Sequence, residues 1–193
     1  LLGFAIGSLS GIMLAMLIVH LRSLDKSLMP WIVASQTIPI IALAPMIVVI
    51  LNQFDINGVV PKAVIAAYLS FFPVTVGMVK GLRSPDLLQM DLMRTYHASR
   101  LQAFFKLRLP SSVPFLFASL KVAVAASLVG AVVAEITKSE DGGLGARLLA
   151  GSYYGQTIQI WAALLAAASV AAGLVILVGG VERFTSKAMG ARV

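Results

Sequence analysis

Five long apolar runs, separated by polar connectors, dominate the sequence. They lie at Leu1–Leu21, Ser27–Phe54, Lys62–Val79, Val113–Ile136 and within Leu148–Val181. A helix needs about 20 apolar residues to cross a hydrocarbon core of about 30 Å, so each run can supply one crossing. We therefore predict an all-α fold, a polytopic integral membrane helical bundle with about five transmembrane helices, in a single domain over residues 1–193.

The second run contains Pro30, Pro39 and Pro45. A proline inside a helix removes a hydrogen bond and clashes with the preceding turn, so we predict a kink or break near Pro39. Broken backbone at membrane depth is tolerated where protein buries it or where it lines a watery cavity. We therefore expect a translocation path that includes Ser35, Gln36, Thr37, Pro39 and Ser70. The alternative is that the polar side chains satisfy freed carbonyls or bond to a neighbouring helix.

The first run carries small residues on one helix face, with Gly3, Gly7 and Gly11 at four-residue spacing. Small residues let two helix backbones approach closely in a membrane. We predict that this face contacts another helix.

Charged residues inside the runs are few. Lys121 should reach toward the nearer interface or face the bundle interior, because a charge at the bilayer centre is costly. Glu135 precedes Lys138 by three residues, a spacing at which the two can pair on a helix surface. We expect that salt bridge rather than a proton relay.

The interval from Lys80 to Pro110 is too charged to span a membrane and too long for a simple turn. Apolar residues recur in it at helical spacing, with charges between them. We predict two short amphipathic helices joined near Ala98 and Ser99. The segment from Thr137 to Gln156, which includes Glu140 and Asp141, is predicted to be a loop with one short helix.

Composition agrees with a membrane environment, since 59% of residues are hydrophobic, 12% are charged and the mean hydropathy is +0.94. The net charge of +7 lies in connectors, so we expect no nucleic-acid partner. The chain has no cysteine, which excludes disulfides and thiolate metal sites. Both histidines lie near run ends and no run holds two carboxylates, so we expect neither an enzyme nor a metal or cofactor site.

The basic residues are distributed unequally between the two sides of the predicted bundle. One set of connectors, with the C-terminal segment, holds eleven Lys and Arg, and the opposite set holds three. Basic residues concentrate on the cytoplasmic side of membrane proteins. The interval from Lys80 to Pro110 and the C-terminal Arg183, Lys187 and Arg192 are therefore expected in the cytoplasm.

The same interval resembles the cytoplasmic loop of permeases of the ABC importer superfamily. Its pattern is Glu-Ala-Ala, three residues, Gly, nine residues, then Ile-x-Leu-Pro. Asp91 takes the acidic position and Leu107, Leu109 and Pro110 take the end, whereas Leu92 and Met93 replace the alanines. His97 replaces the glycine, so the turn there is expected to be made in some other way.

Four further phrases resemble the nitrate, sulfonate and taurine branch of these permeases, which also includes transporters of vitamin precursors such as pyrimidines. They are QTIPIIALAP (36–45), LSFFPVTVGMVKGL (69–82), GAVVAEI (130–136) and GLGARLL (143–149). Members of that branch have a further N-terminal span, so the N-terminal span is expected to be missing here.

The resemblance implies a multi-pass permease of the bacterial inner membrane that hydrolyses no ATP itself. Its implied partners are two ABC ATPase subunits, a second permease copy in a homodimer, a solute-binding protein and the lipid membrane. A cytoplasmic loop over residues 83–112 would hold the ATPase-coupling helix, formed by Asp91, Leu92, Met93, Arg94, Thr95, Tyr96, His97, Ala98, Ser99 and Arg100. An ordinary amphipathic helix at the membrane surface is the alternative for that stretch, and an ion-coupled secondary transporter is the alternative for the chain.

Overall fold

The computed structural model describes residues 1–138 and 142–189, and all regular structure in these ranges is helical. The helices are α1 (Leu2–His20), α2 (Arg22–Ser35), α3 (Ile40–Gln53), α4 (Val59–Leu82), α5 (Leu87–Thr95), α6 (Arg100–Ala103), α7 (Leu109–Thr137), α8 (Leu144–Tyr153) and α9 (Thr157–Ala188). The predicted all-α membrane fold is thus confirmed. Glu140, Asp141 and Arg192 lie outside the described residues.

One boundary differs from the prediction. The second short helix of the polar interval does not end before the fourth crossing, because a π-helical turn at Phe104–Arg108 joins α6 directly to α7. The resulting helical run extends over 38 residues, from Arg100 to Thr137. The charges at Arg100, Lys106 and Arg108 concealed this continuity in the sequence, because they lie on a helix that continues beyond the apolar segment.

The predicted break near Pro39 is present. Helices α2 and α3 meet at an angle of 100°, and Pro39 is the extended residue that precedes α3. Its ring fixes φ near −62°, while ψ at 119° turns the chain out of the helix. Pro30 and Pro45 lie inside α2 and α3 without ending either helix.

Contacts at the two ends of the bundle show that the bent pair crosses it once. Asp25 near the start of α2 forms a 2.9 Å salt bridge with Arg83, directly after α4. At the opposite end, Lys138 after α7 donates a 3.2 Å hydrogen bond to Asn57, directly before α4. Helices α2 and α3 therefore run from one end to the other. Within the described residues, α1, α4, the run that includes α7, and α9 are each long and apolar enough to cross a membrane, and the bent pair makes a fifth crossing when it is counted as one span.

Helix α4 lies at the centre, between α1 and α7. A Cβ added to Gly7 would stand 2.5 Å from the carbonyl oxygen of Ala67, and one added to Gly11 would stand 2.9 Å from that of Phe71. Gly3, Gly7 and Gly11 are all buried at this α1–α4 contact. The backbones approach so closely because the three residues have no side chain.

The contact between α4 and α7 is formed in the same way, with residues that the sequence analysis did not identify. A Cβ on Gly81 would lie 2.9 Å from Ser112, and one on Gly130 would lie 3.0 Å from Ala66. Gly77 and Gly81 lie on one helix face at four-residue spacing, and this spacing in the sequence could have predicted the contact. Lys121 of α7 pairs with Glu182 of α9 at 2.5 Å, so its charge is compensated by a neighbouring helix.

Candidate functional site

The polar interval starts each of its short helices with a capping box. Asp86 accepts a 2.7 Å hydrogen bond from the backbone N–H of Gln89, whose side chain accepts from the backbone N–H of Asp86. Ser99 and Gln102 form the same reciprocal pair before α6. A capping box satisfies two backbone donors that the first turn leaves free. The sequence thereby fixes where α5 and α6 begin.

His97 makes the turn between α5 and α6 in the conformation that glycine adopts most easily. Its φ is +50°, in the left-handed region. The N–H of Ala98 donates to the carbonyl of Met93 at 2.9 Å, and the N–H of His97 donates to that of Arg94 at 2.8 Å. This pair of bonds is a Schellman motif. The expectation of a different turn is therefore wrong, because the histidine itself takes the left-handed position.

Helix α5 has no buried residue and divides into two apolar faces. Leu88, Leu92 and Tyr96, four residues apart, are 80%, 56% and 76% exposed and point away from the bundle. Met90 and Met93 lie on another face and line a cleft against the end of α1 and the π-helical turn. The outward face gives an exposed apolar surface suited to the groove of a partner.

Polar residues of the same stretch support its shape. Asp91 and Arg94 form a 2.9 Å ion pair on the helix surface, and Thr95 donates a 3.1 Å hydrogen bond to the carbonyl of Asp91. The Asp91–Arg94 pair is exposed, so it contributes little to stability. Both side chains remain largely exposed, and Arg94 also lines a cleft on another side of the helix.

The polar residues at the break are engaged with nearby backbone. Ser35 donates to the carbonyl of Ile32 at 2.7 Å, and Thr37 donates to that of Ala34 at 2.8 Å. Tyr68 of α4, which the sequence analysis did not single out, donates to the carbonyl of Ser35. For these groups the structure favours the alternative, since they bond to carbonyls next to the break and, through Tyr68, to a neighbouring helix. Among the described residues, the Gln36 amide bonds only to the Ser35 hydroxyl, at 3.4 Å.

Ser70 does not lie beside the break. It is completely buried in the α1–α4 contact, where its hydroxyl bonds to the carbonyl of Ala67 at 3.2 Å. The expectation that Ser70 lines a path is therefore corrected, because its position places it opposite Gly7 between two helices.

Glu135 forms a different contact from the expected pair with Lys138. Its carboxylate accepts a 2.8 Å hydrogen bond from the N–H of Gly145, in the first turn of α8. Gly143 precedes α8 with φ of +121°, and a Cβ there would overlap the Glu135 carboxylate. A carboxylate at a helix N-terminus satisfies free N–H groups and the helix dipole. Glu135 thus joins α8 to the end of α7.

These features define a polytopic helical membrane protein with a capped, unburied loop helix at one end of its bundle. Residues 7–190 match the family model described as binding-protein-dependent transport system inner membrane component. The chain belongs to this family.

Three relatives illustrate the range of the family. A probable ABC transporter permease protein of Haemophilus influenzae is 34% identical over 88% of this chain and 67% of its own length. A formylaminopyrimidine transport permease protein of Halalkalibacterium halodurans is 33% identical over 73% of the chain and 55% of its own length. A putative aliphatic sulfonates transport permease protein of Bacillus subtilis is 26% identical over 85% and 58%. The resemblance to the sulfonate-type branch is confirmed, and the chain spans about two thirds or less of these relatives.

Proposed function

We propose that this chain is the membrane-spanning permease subunit of an ATP-driven importer of a small solute. The observation that carries the proposal is the unburied helix α5, which presents Leu88, Leu92 and Tyr96 outward at the end of the bundle where basic residues concentrate. A soluble motor can act on a membrane bundle only through a part that extends beyond the lipid. Helix α5 is followed by α6, which continues through the π-helical turn into α7, so a force on α5 reaches a crossing helix.

The partners follow from this role. Two ATPase subunits would hydrolyse ATP. Each would bind Asp91–Arg100 of one permease copy in a homodimer. A binding protein would deliver the solute at the opposite end, beside α8. In this orientation α5 and the end of α9 face the cytoplasm. The relatives named for formylaminopyrimidine and aliphatic sulfonates support a small polar solute.

The translocation path is proposed to pass the break between α2 and α3. The Gln36 amide is the polar group there with hydrogen-bonding capacity to spare, since Ser35 and Thr37 donate to carbonyls. An amide can donate and accept, and it therefore suits an uncharged or anionic solute. Pro39 keeps the helix interrupted at the break between α2 and α3.

An ion-coupled secondary transporter is less well supported. Such a transporter uses ionisable groups near the midplane that are free to exchange protons or ions. Lys121 is paired with Glu182, and Glu135 is engaged with the N-terminus of α8. These contacts give both side chains a structural explanation.

Site-directed crosslinking tests the proposal, because the sequence contains no cysteine. We expect Tyr96→Cys, in membranes that contain the whole transporter, to crosslink to a soluble subunit with a phosphate-binding loop. Tyr153→Cys is the matched control, since Tyr153 is 83% exposed at the other end of the bundle. Failure of crosslinking at Leu92, Tyr96 and Ala98 alike would contradict the coupling role.

A further inference from the structure

A basic cleft lies beneath α5, on the side away from its exposed apolar face. Its volume is about 620 Å³. The lining includes His20 at the end of α1, Arg94 and Met93 of α5, Arg100 of α6, and Phe104 and Arg108 of the π-helical turn. Three arginines from three successive elements thus line one cleft, and the described residues of its lining include no carboxylate.

Within residues 1–138 and 142–189, two of the three arginines have no carboxylate partner. Arg94 is paired with Asp91 at 2.9 Å. Among the described residues, no carboxylate lies within salt-bridge distance of Arg100 or Arg108. Their planar guanidinium groups are the side chains best suited to bind phosphate oxygens with two hydrogen bonds. The charge in the cleft therefore favours an anion, and phosphate fits its chemistry.

The floor of the cleft is partly apolar. Phe104 is buried, and its ring lies 4.9 Å from that of His20. The Nδ1 of His20 donates to the carbonyl of Met16 at 2.7 Å, which fixes the ring. Val19 and Phe104 contribute apolar walls beside the arginines. A ligand with both a charged and an apolar part would match this lining.

The cleft lies at the ends of two helices that are long and apolar enough to cross a membrane. One wall is the last turn of α1, a crossing helix, and another is the turn that leads into α7. Leu101 and Phe105, close to Arg100 and Arg108 in the sequence, are 67% and 60% exposed. Basic pockets between crossing helices at the cytoplasmic surface bind acidic lipid headgroups, with the acyl chains in the adjoining bilayer.

We propose that this cleft binds the phosphate headgroup of an acidic phospholipid from the cytoplasmic leaflet. Arg100 and Arg108 contact the phosphate, while the acyl chains lie along the apolar surface formed by Leu101 and Phe105. The inference rests on the proposed function only for the side of the membrane, and it does not require an ATPase. A lipid bound here would support α5 on its cleft side and leave the outward apolar face accessible.

Native mass spectrometry of the full-length transporter, purified with phosphatidylglycerol and phosphatidylcholine, tests the proposal. We expect phosphatidylglycerol to stay bound to the wild type and to be held at least about tenfold more weakly by Arg100→Gln/Arg108→Gln, because a hydrogen bond to a charged group is lost. Arg183→Gln/Lys187→Gln is the matched control, because it removes two exposed charges from the same end without touching the cleft.

The outcomes separate the possible ligands. Phosphatidylglycerol retained by the control and lost from the cleft variant supports the proposal. Equal loss of the lipid from both variants would show that general surface charge binds it, and this would overturn the proposal. Displacement of the lipid by millimolar inorganic phosphate would instead assign the cleft to a free anion. Lipid found only on species without the ATPase would show that the partner fills the cleft, and this too would overturn it. The Tyr96 crosslink to the soluble subunit is measured separately, so failure of the lipid proposal can be distinguished from failure of the proposed function.

Discussion

His97 holds the left-handed turn of the proposed coupling loop at a cost that the residue type determines. A non-glycine residue in this region costs about 1–2 kcal/mol, and β-branched residues are affected most. We therefore predict that His97→Val weakens the turn and that His97→Gly preserves it. Hydrogen exchange at the Ala98 amide, which bonds to Met93, should be about fivefold faster or more in the valine variant.

Tyr96 provides the control for this prediction. It adjoins His97 and is similarly accessible, but its φ is −83°, so Tyr96→Val adds a β-branched residue without the left-handed strain. Exchange at Ala98 should change little in that variant. Equal acceleration in both variants would mean that the side chains, and not the backbone of residue 97, hold the turn.

The α1–α4 contact is close because Gly7 has no side chain. In Gly7→Ala the added methyl group would meet Ala67 backbone and the Ser70 hydroxyl, so one helix must shift. Overpacking of this kind costs about 1–3 kcal/mol. We predict that Gly7→Ala lowers the temperature at which the detergent-solubilised protein unfolds.

Gly173 is the matched comparison, because it also lies within a crossing helix but no atom of the described residues comes within 4 Å of an added Cβ. Gly173→Ala should keep or raise the unfolding temperature, since alanine favours the helix in both variants. A loss of stability in Gly173→Ala as large as in Gly7→Ala would contradict the close α1–α4 contact. The comparison separates helix propensity from helix contact.

Local patterns in the sequence predicted the helical elements, but they did not predict contacts between different helices. Proline chemistry placed the break at Pro39, and charge spacing located α5. By contrast, the bond from Glu135 to Gly145 joins two helices across the segment between them, and helical spacing suggested Lys138 instead. The burial of Ser70 was hidden because a serine opposite a glycine stripe has the same sequence character as one facing a cavity. Pairing between helices decides such roles.

The path of the whole chain depends on whether α2 and α3 together cross the membrane once. The Asp25–Arg83 and Asn57–Lys138 contacts place the start and end of this bent pair at opposite ends of the bundle. If the pair returned to the side it left, the chain would cross four times, and the connector before α2 would face away from α5. The two arrangements thus differ in the side on which Ser23 lies relative to Tyr96.

We predict that Ser23→Cys and Tyr96→Cys are labelled by an impermeant maleimide from the same side of sealed vesicles, and Ile56→Cys and Tyr153→Cys from the other. All four positions are exposed, and Ile56 spares the Asn57 bond. Inside-out vesicles should react at the first pair and right-side-out vesicles at the second, because basic residues favour the cytoplasmic side. Ser23 reacting with the second pair would establish a re-entrant α2–α3 hairpin. Tyr96 reacting from outside would separate α5 from any cytoplasmic motor.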